Sequence, residues 1–297
     1  MSIIEKAVGK LDQIEKEQKA RIPKALVSIE FDQEPEIGQS EVADEINKTL
    51  LHDAPSQSNL AIIDLTRLHG LGMVTPNDEK TQIVEEFRII KRPLITNAFN
   101  QGAKRINNGN LIMVTSALAG EGKSYCAINL AMSIAMEMDH TVLLIDADVA
   151  SPSIPNSLGV KNDRGLLDVL LDDKLELADV MMRTNVEKLS ILTSGRKSRH
   201  ATELLASQSM SDLLTEIAQR YPERIIIFDS PPLLLTSESR VLASQMGQIV
   251  LVVEAETTPQ KTVMEALRQI ESCEVINLIY NKARPFPGGD LYGYDYN

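Results

Sequence analysis

The stretch SALAGEGKSYCAINLA, Ser116 to Ala131, decides how the rest of the chain is read. Ahead of it runs LIMVTS, an apolar run of strand length, and its second half, KSYCAINLAMSIAM, continues as a helix. Between them ALAGEGKS, Ala117 to Ser124, fits the phosphate-loop pattern [AG]-x-x-x-x-G-K-[ST]. The composition follows from the chemistry. Backbone N–H groups must close around phosphate oxygens, so side chains there are small or missing. The helix N-terminus adds partial positive charge toward the same anion. Ala119, Gly120, Glu121, Gly122, Lys123, Ser124 and Tyr125 are therefore the expected nucleotide-binding residues. Lys123 is assigned to the β- and γ-phosphates, and the Ser124 hydroxyl to Mg²⁺.

Two acidic sites support this reading. TVLLIDADVASP ends an apolar run with Asp146 and Asp148, and RIIIFDSPP ends another with Asp229. In an open parallel sheet the strand C-termini share the edge where ligands bind. All three carboxylates are predicted there, with Asp229 holding Mg²⁺ directly or through water. A guanine reader after the last strand would be NKxD, but the chain has NKAR, Asn281 to Arg284. Without that carboxylate adenine is favoured, and Asn281 is the candidate contact to its amino group.

Apolar runs at 111–115, 141–146, 189–193, 224–229, 248–253 and 275–280 alternate with helical stretches near 123–138, 164–171, 201–220, 236–246 and 259–271. That alternation predicts an α/β fold of the P-loop NTPase type, a mostly parallel sheet with helices on both faces. A helix is expected over 79–103. The chain divides into a partly helical N-terminal extension (1–78), a P-loop domain (79–282) and a flexible tail (283–297). In the extension, Ser2 and Glu5 form a capping-box pattern opening an amphipathic helix over 2–19. Residues 22–60 read as loosely packed, and 59–68 as a strand or short helix.

With 297 residues and 43% apolar content the chain suits a soluble globular protein. The longest apolar runs are far short of the ~20 residues that cross a bilayer. No secretory signal opens the chain, so a cytoplasmic location is expected. Cys126 and Cys273 imply no disulfide framework, and the four histidines are scattered rather than at metal-ligand spacing. The net charge of −12 argues against a nucleic-acid partner. The one short basic cluster is GRKSRH, 195–200.

The set ALAGEGKS, LLIDAD and IIIFDSPP resembles the bacterial protein-tyrosine autokinases of exopolysaccharide synthesis, which are related to the MinD/ParA ATPases. EEFRIIKRPL is similar to their E-x-x-R-x-x-R segment, matched by Glu85, Arg88 and Lys91, and ATELLAS at 201–207 is also similar. The resemblance covers roughly 80–282. MSIIEKAVGKLDQ and HGLGMVTP resemble the exosortase-associated subgroup, whose kinase is a separate soluble chain.

The resemblance implies ATP and Mg²⁺ as cofactors, with catalytic or metal-shell roles for Lys123, Asp146 and Asp148, and Mg²⁺ at Ser124, Asp146 and Asp229. Which aspartate takes the tyrosine proton stays open. It also implies a ring-shaped homo-oligomer closed by Glu85, Arg88 and Lys91. The implied partners are a membrane activator of the chain-length-determinant type, placing the chain peripherally at the inner membrane, and a cognate tyrosine phosphatase. Ala119, Ala150 and Lys91 depart from the family's usual proline, arginine and arginine. Tyr292, Tyr294 and Tyr296, three of the six tyrosines, lie in the last six residues. They are the expected autophosphorylation sites. The competing readings are a MinD/ParA-type positioning ATPase, against which Leu118 stands where those enzymes carry an extra lysine, and a noncatalytic nucleotide sensor.

Overall fold

A computed structural model describes residues 59–284 apart from 77–80, 101, 103, 104 and 222. The expected helix over 2–19, most of the extension and the tail tyrosines lie outside the described residues. Eight strands form one sheet in the order β1-β4-β5-β3-β6-β2-β7-β8. They are β1 (Leu60–Ala61), β2 (Leu111–Ser116), β3 (Thr141–Asp146), β4 (Met182–Thr184), β5 (Leu189–Leu192), β6 (Arg224–Asp229), β7 (Gln248–Glu254) and β8 (Ile276–Asn281). All neighbours are parallel except β4 and β5.

The central strands are apolar because both faces are covered. Ile112, Val114, Val142, Leu144, Ile225, Ile227, Val250 and Val252 pack on one face. Leu111, Met113, Leu143, Ile145, Ile226, Phe228, Ile249 and Leu251, their alternates, pack on the other. The first layer includes α1 (Leu65–Gly70), α2 (Gln82–Phe99), α3 (Lys123–Ala135) and α4 (Ile154–Leu158). The second includes α5 (Leu166–Leu171), α6 (Leu177–Val180), α7 (Ala201–Leu205), α8 (Gln208–Arg220), α9 (Glu238–Ala243) and α10 (Gln260–Gln269). Every residue of α3 from Cys126 to Ala135 is buried, which explains why the P-loop helix has no polar face. Cys126 and Cys273 are free and buried.

Three sequence expectations change. The helix expected over 201–220 is two helices. The Ser207 hydroxyl accepts from Met210 N (3.2 Å) and restarts the chain as α8. Residues 59–76, assigned to the N-terminal extension with 59–68 as a strand or short helix, are built into the body. β1 joins the sheet, and Ile63, Leu68 and Val74 enter its core. From α1 the chain crosses α3, where Val74 N donates to Asn129 Oδ1 (2.6 Å) and the Tyr125 hydroxyl donates to Gly72 O (2.6 Å).

Lys91 is the third. Expected at a subunit interface, it is buried (4% exposed) and faces inward from α2. Its ammonium donates to Ser133 O (2.6 Å) and pairs with Glu137 (2.7 Å) at the end of α3. It cannot present its charge to a second subunit from there. Glu85 and Arg88 pair with each other on the partly exposed surface of α2. Lys91→Met should therefore cost roughly 1–3 kcal/mol of stability, by stranding a carbonyl and a carboxylate. Chemical denaturation would show that loss, while light scattering would show unchanged self-association.

Candidate active site

The site grows from the register of two adjacent strands. Asp146 at the end of β3 is level with Asp229 at the end of β6, and Ala147 N donates to Asp229 O (2.8 Å). The P-loop leaves β2 on the other side of β6 and enters α3 through Gly122, at φ 95°. Gly120 is also left-handed, at φ 86°. Only glycine adopts these conformations without strain, and they turn successive N–H groups toward one point.

Lys123, Asp146, Asp148, Asp229 and Ser124 do come together. Lys123 Nζ lies 2.9 Å from Asp148 Oδ2 and 3.5 Å from Ser124 Oγ. Burial works against its charge, but Asp229, Asp148 and Asp146 outweigh burial and hold its pKa above the ordinary value. Burial, then repulsion from Asp229, pushes the Asp146 carboxyl up to about 7. Burial also raises Asp229 to about 6, against the opposing pull of Lys123. Three buried carboxylates around one ammonium leave an unbalanced negative site.

The fit of a divalent cation rests on particular atoms. Asp229 Oδ1 is buried with no hydrogen-bond partner. Its Oδ2 accepts from the Ser153 hydroxyl (3.3 Å). Asp146 already accepts three backbone N–H groups, from Ser153 (3.1 Å), Ile154 (3.0 Å) and Asp148 (3.2 Å). Asp229 and Ser124 would thus hold Mg²⁺, with Asp146 orienting its surroundings, an assignment the excess of negative charge favours. Ser153 escaped the sequence reading. The sole signal was the Ser-Pro-Ser-Ile-Pro run that starts α4, with Pro155 in its first turn.

Three expected nucleotide contacts are used differently. Glu121 is buried, and its carboxylate turns away from the phosphate side. It accepts from Leu118 N (2.6 Å), from the Thr258 hydroxyl and from Glu254 N (3.5 Å), which leaves only its backbone for the nucleotide. Asn281, expected at adenine, donates Nδ2 to Glu121 O (2.8 Å), and a Cβ on Gly122 would fall 2.0 Å from that nitrogen. Lys282 Nζ donates to Gly120 O (2.8 Å) and pairs with Glu254 (3.1 Å). The end of β8 thus clamps the P-loop by its carbonyls. Tyr125 turns its hydroxyl to Gly72 O and keeps only its N–H near the helix start.

Comparisons with known proteins agree with this geometry. A family model described as ParA, NUBPL iron-transfer P-loop NTPase, matches residues 107–280. The tyrosine-protein kinase YwqD of Bacillus subtilis is 34% identical over 163 residues, covering 55% of this chain and 67% of YwqD. The chain belongs to the ParA-type P-loop NTPases, in the branch of the bacterial tyrosine-protein kinases. The tyrosine-protein kinase Etk of Escherichia coli K12 is 30% identical over 166 residues, 56% of this chain and 22% of Etk, so the kinase spans a small part of that longer relative. The crystal structure of the VpsO kinase domain, 29% identical, superposes with a TM-score of 0.52 over 67% of this chain and 99% of that one.

Three predictions follow from the kinase's own groups. Asp146 and Asp229 keep their protons to higher pH folded than unfolded. The nucleotide-free kinase should therefore lose stability as pH rises from about 4 to about 7. Asp229→Asn should recover roughly 1–3 kcal/mol at pH 8 while abolishing turnover, read by thermal melts and a kinase assay. Asn281→Ala, by loosening the clamp, should weaken ATP and GTP binding by the same factor of about 10. A loss confined to ATP would restore Asn281 to the adenine role.

Proposed function

We propose that the chain is an ATP-dependent protein-tyrosine autokinase that phosphorylates the cluster Tyr292, Tyr294 and Tyr296 in trans within a homo-oligomer. The proposal extends to regulation of exopolysaccharide synthesis or export. The observation that carries it is the joint placement of Lys123, Ser124 and three buried carboxylates at the sheet edge where β8 ends on the P-loop. The tail departs from that edge. From Ala283 to Tyr292 the chain can span at most about 33–36 Å, the reach it would have toward a neighbouring copy's pocket. Tethering in an oligomer would raise the local acceptor concentration into the millimolar range.

In this reading Lys123 exchanges Asp148 for phosphate oxygens when nucleotide enters. The phenol oxygen bonds to the γ-phosphorus, the bond from that phosphorus to the ADP oxygen breaks, and the phenol proton passes to a carboxylate. Asp148 is the group freed by that exchange, whereas Asp146 already accepts three backbone N–H groups. Bound Mg²⁺ supplies charge neutralisation on the phosphates. A positioning ATPase is disfavoured by Leu118, which packs against the core where the extra lysine of such enzymes would stand.

Each phosphate adds roughly −1.5 to −2 of charge to an already acidic chain, so phosphorylation is expected to loosen the oligomer. No helix among the described residues is long and apolar enough to cross a membrane. Recruitment to the inner membrane is assigned to a chain-length-determinant-type activator, and reversal to a tyrosine phosphatase. Incubation with labelled ATP and Mg²⁺ should label the intact chain and lose at least about 10-fold of that label when residues 290–297 are removed. No label, even with an activating partner fragment, favours the ATPase reading, and label surviving the truncation moves the acceptor elsewhere.

A further inference from the structure

The basic cluster at 195–200 plays no part in the nucleotide site, yet it stands on the same edge. β5 lies beside β3 with Leu192 level with Ile145, so the chain leaving β5 runs about 5 Å from the Asp146 strand. It is joined there to the segment after α4. A Cβ on Gly165 would fall 2.1 Å from Thr193 O, and one on Gly195, at φ 81°, would fall 2.3 Å from Asp168 Oδ2. Asn162 Oδ1 accepts from Gly195 N (3.1 Å). Buried Asp168 accepts from Gly165 N and Arg196 N (3.0 Å each), and from Arg196 Nε (2.5 Å). Burial would raise the Asp168 pKa, but these donors outweigh it and hold the carboxyl below the ordinary range.

The two loops form one fixed platform, with Lys161, Arg164, Arg196, Lys197 and Arg199 exposed on it. Against those five cations the platform carries Asp163 and the buried Asp168, which is already committed to Arg196. In a chain of net charge −12, a preorganised positive surface at the catalytic edge calls for an anionic ligand. Lys161 and Arg164 also wall a cleft of about 600 Å³ whose far side carries Leu60 and Ile62, 64% and 65% exposed. Asp163 and Asp179 line it as well, so the net positive part is the 196–199 side. Cations beside exposed apolar surface suit a peptide bearing both acids and aromatic rings. Residues 285–297, PFPGGDLYGYDYN, carry Asp290 and Asp295 among the tyrosines, and no lysine or arginine.

We infer that the 161–164 and 196–199 platform is the acceptor-peptide docking surface, selecting acidic residues that flank tyrosine in segment 285–297 of a second copy. This rests on the kinase reading above and names the substrate class of that site. The platform would hold Asp290 and Asp295 while the phenol reaches the γ-phosphate, making Lys197 and Arg199 positioning residues for specificity.

The test is an anisotropy titration of the full chain with fluorescein-labelled PFPGGDLYGYDYN and with its counterpart carrying Asp290→Asn and Asp295→Asn. The chain's own tail competes equally with both. The acidic peptide should bind at least about 5-fold more tightly at about 50 mM salt, with the gap narrowing at about 200 mM. In a Lys197→Glu/Arg199→Glu variant the preference should vanish and a peptide with lysine at both positions should gain. Equal binding of the two peptides by the unaltered chain overturns the inference, as does a preference that persists in the variant. Binding needs no chemistry, so a retained preference without label transfer from ATP would overturn the kinase reading alone. Should the variant fail to fold, the peptide and salt comparison on the unaltered chain decides.

Discussion

Three carboxylates buried against a single ammonium set the terms for this molecule. Asp146, Asp148 and Asp229 occupy the ends of adjacent strands or the turn beyond, and Lys123 is the cation that faces them. Such a cluster is poor for stability, because burial penalises each charge and like charges compound the penalty. It is held because the sheet around it is covered on both faces and backbone donors fix Asp146. Bound magnesium would supply the positive charge that balances the cluster and frees Lys123 for phosphate. The energetic liability of this cluster and its affinity for a cation are one property.

The phosphate loop is shaped from two sides. The strand–turn–helix arrangement supplies the left-handed glycines. Asn281 and Lys282 then occupy the carbonyls of Glu121 and Gly120, and the Glu121 carboxylate holds Leu118 N. Carbonyls tied down behind the loop leave the N–H groups facing forward, the preorganisation that phosphate binding requires.

The fold was legible because continuous apolar runs of strand length mark doubly covered parallel strands, and the central strands β2, β3, β6 and β7 each carry one. The phosphate loop and its three acids were legible because few other chemistries need that spacing. Long-range pairing was not. β4 is three residues, and β1 is two residues that become a strand only by pairing with it. Lys91 was expected at a subunit interface through its match to the family's segment, and only the tertiary fold supplies Ser133 O and Glu137 to bury it. Asn281 lies 160 positions from the carbonyl it holds, a distance no local pattern records. Ser207 ended a helix that periodicity alone would have carried through.

The crossing of residues 71–75 over the P-loop helix links distant parts of the chain mechanically. Val74 is fastened to Asn129, and the carbonyl of Gly72 to the hydroxyl of Tyr125, two positions beyond Lys123. Asn129 in turn donates to Tyr125 O (2.8 Å), so both fastenings grip the first turns of one rigid rod. The segment after α1 and the helix that carries Lys123 therefore hold each other's position, and neither can be repacked alone.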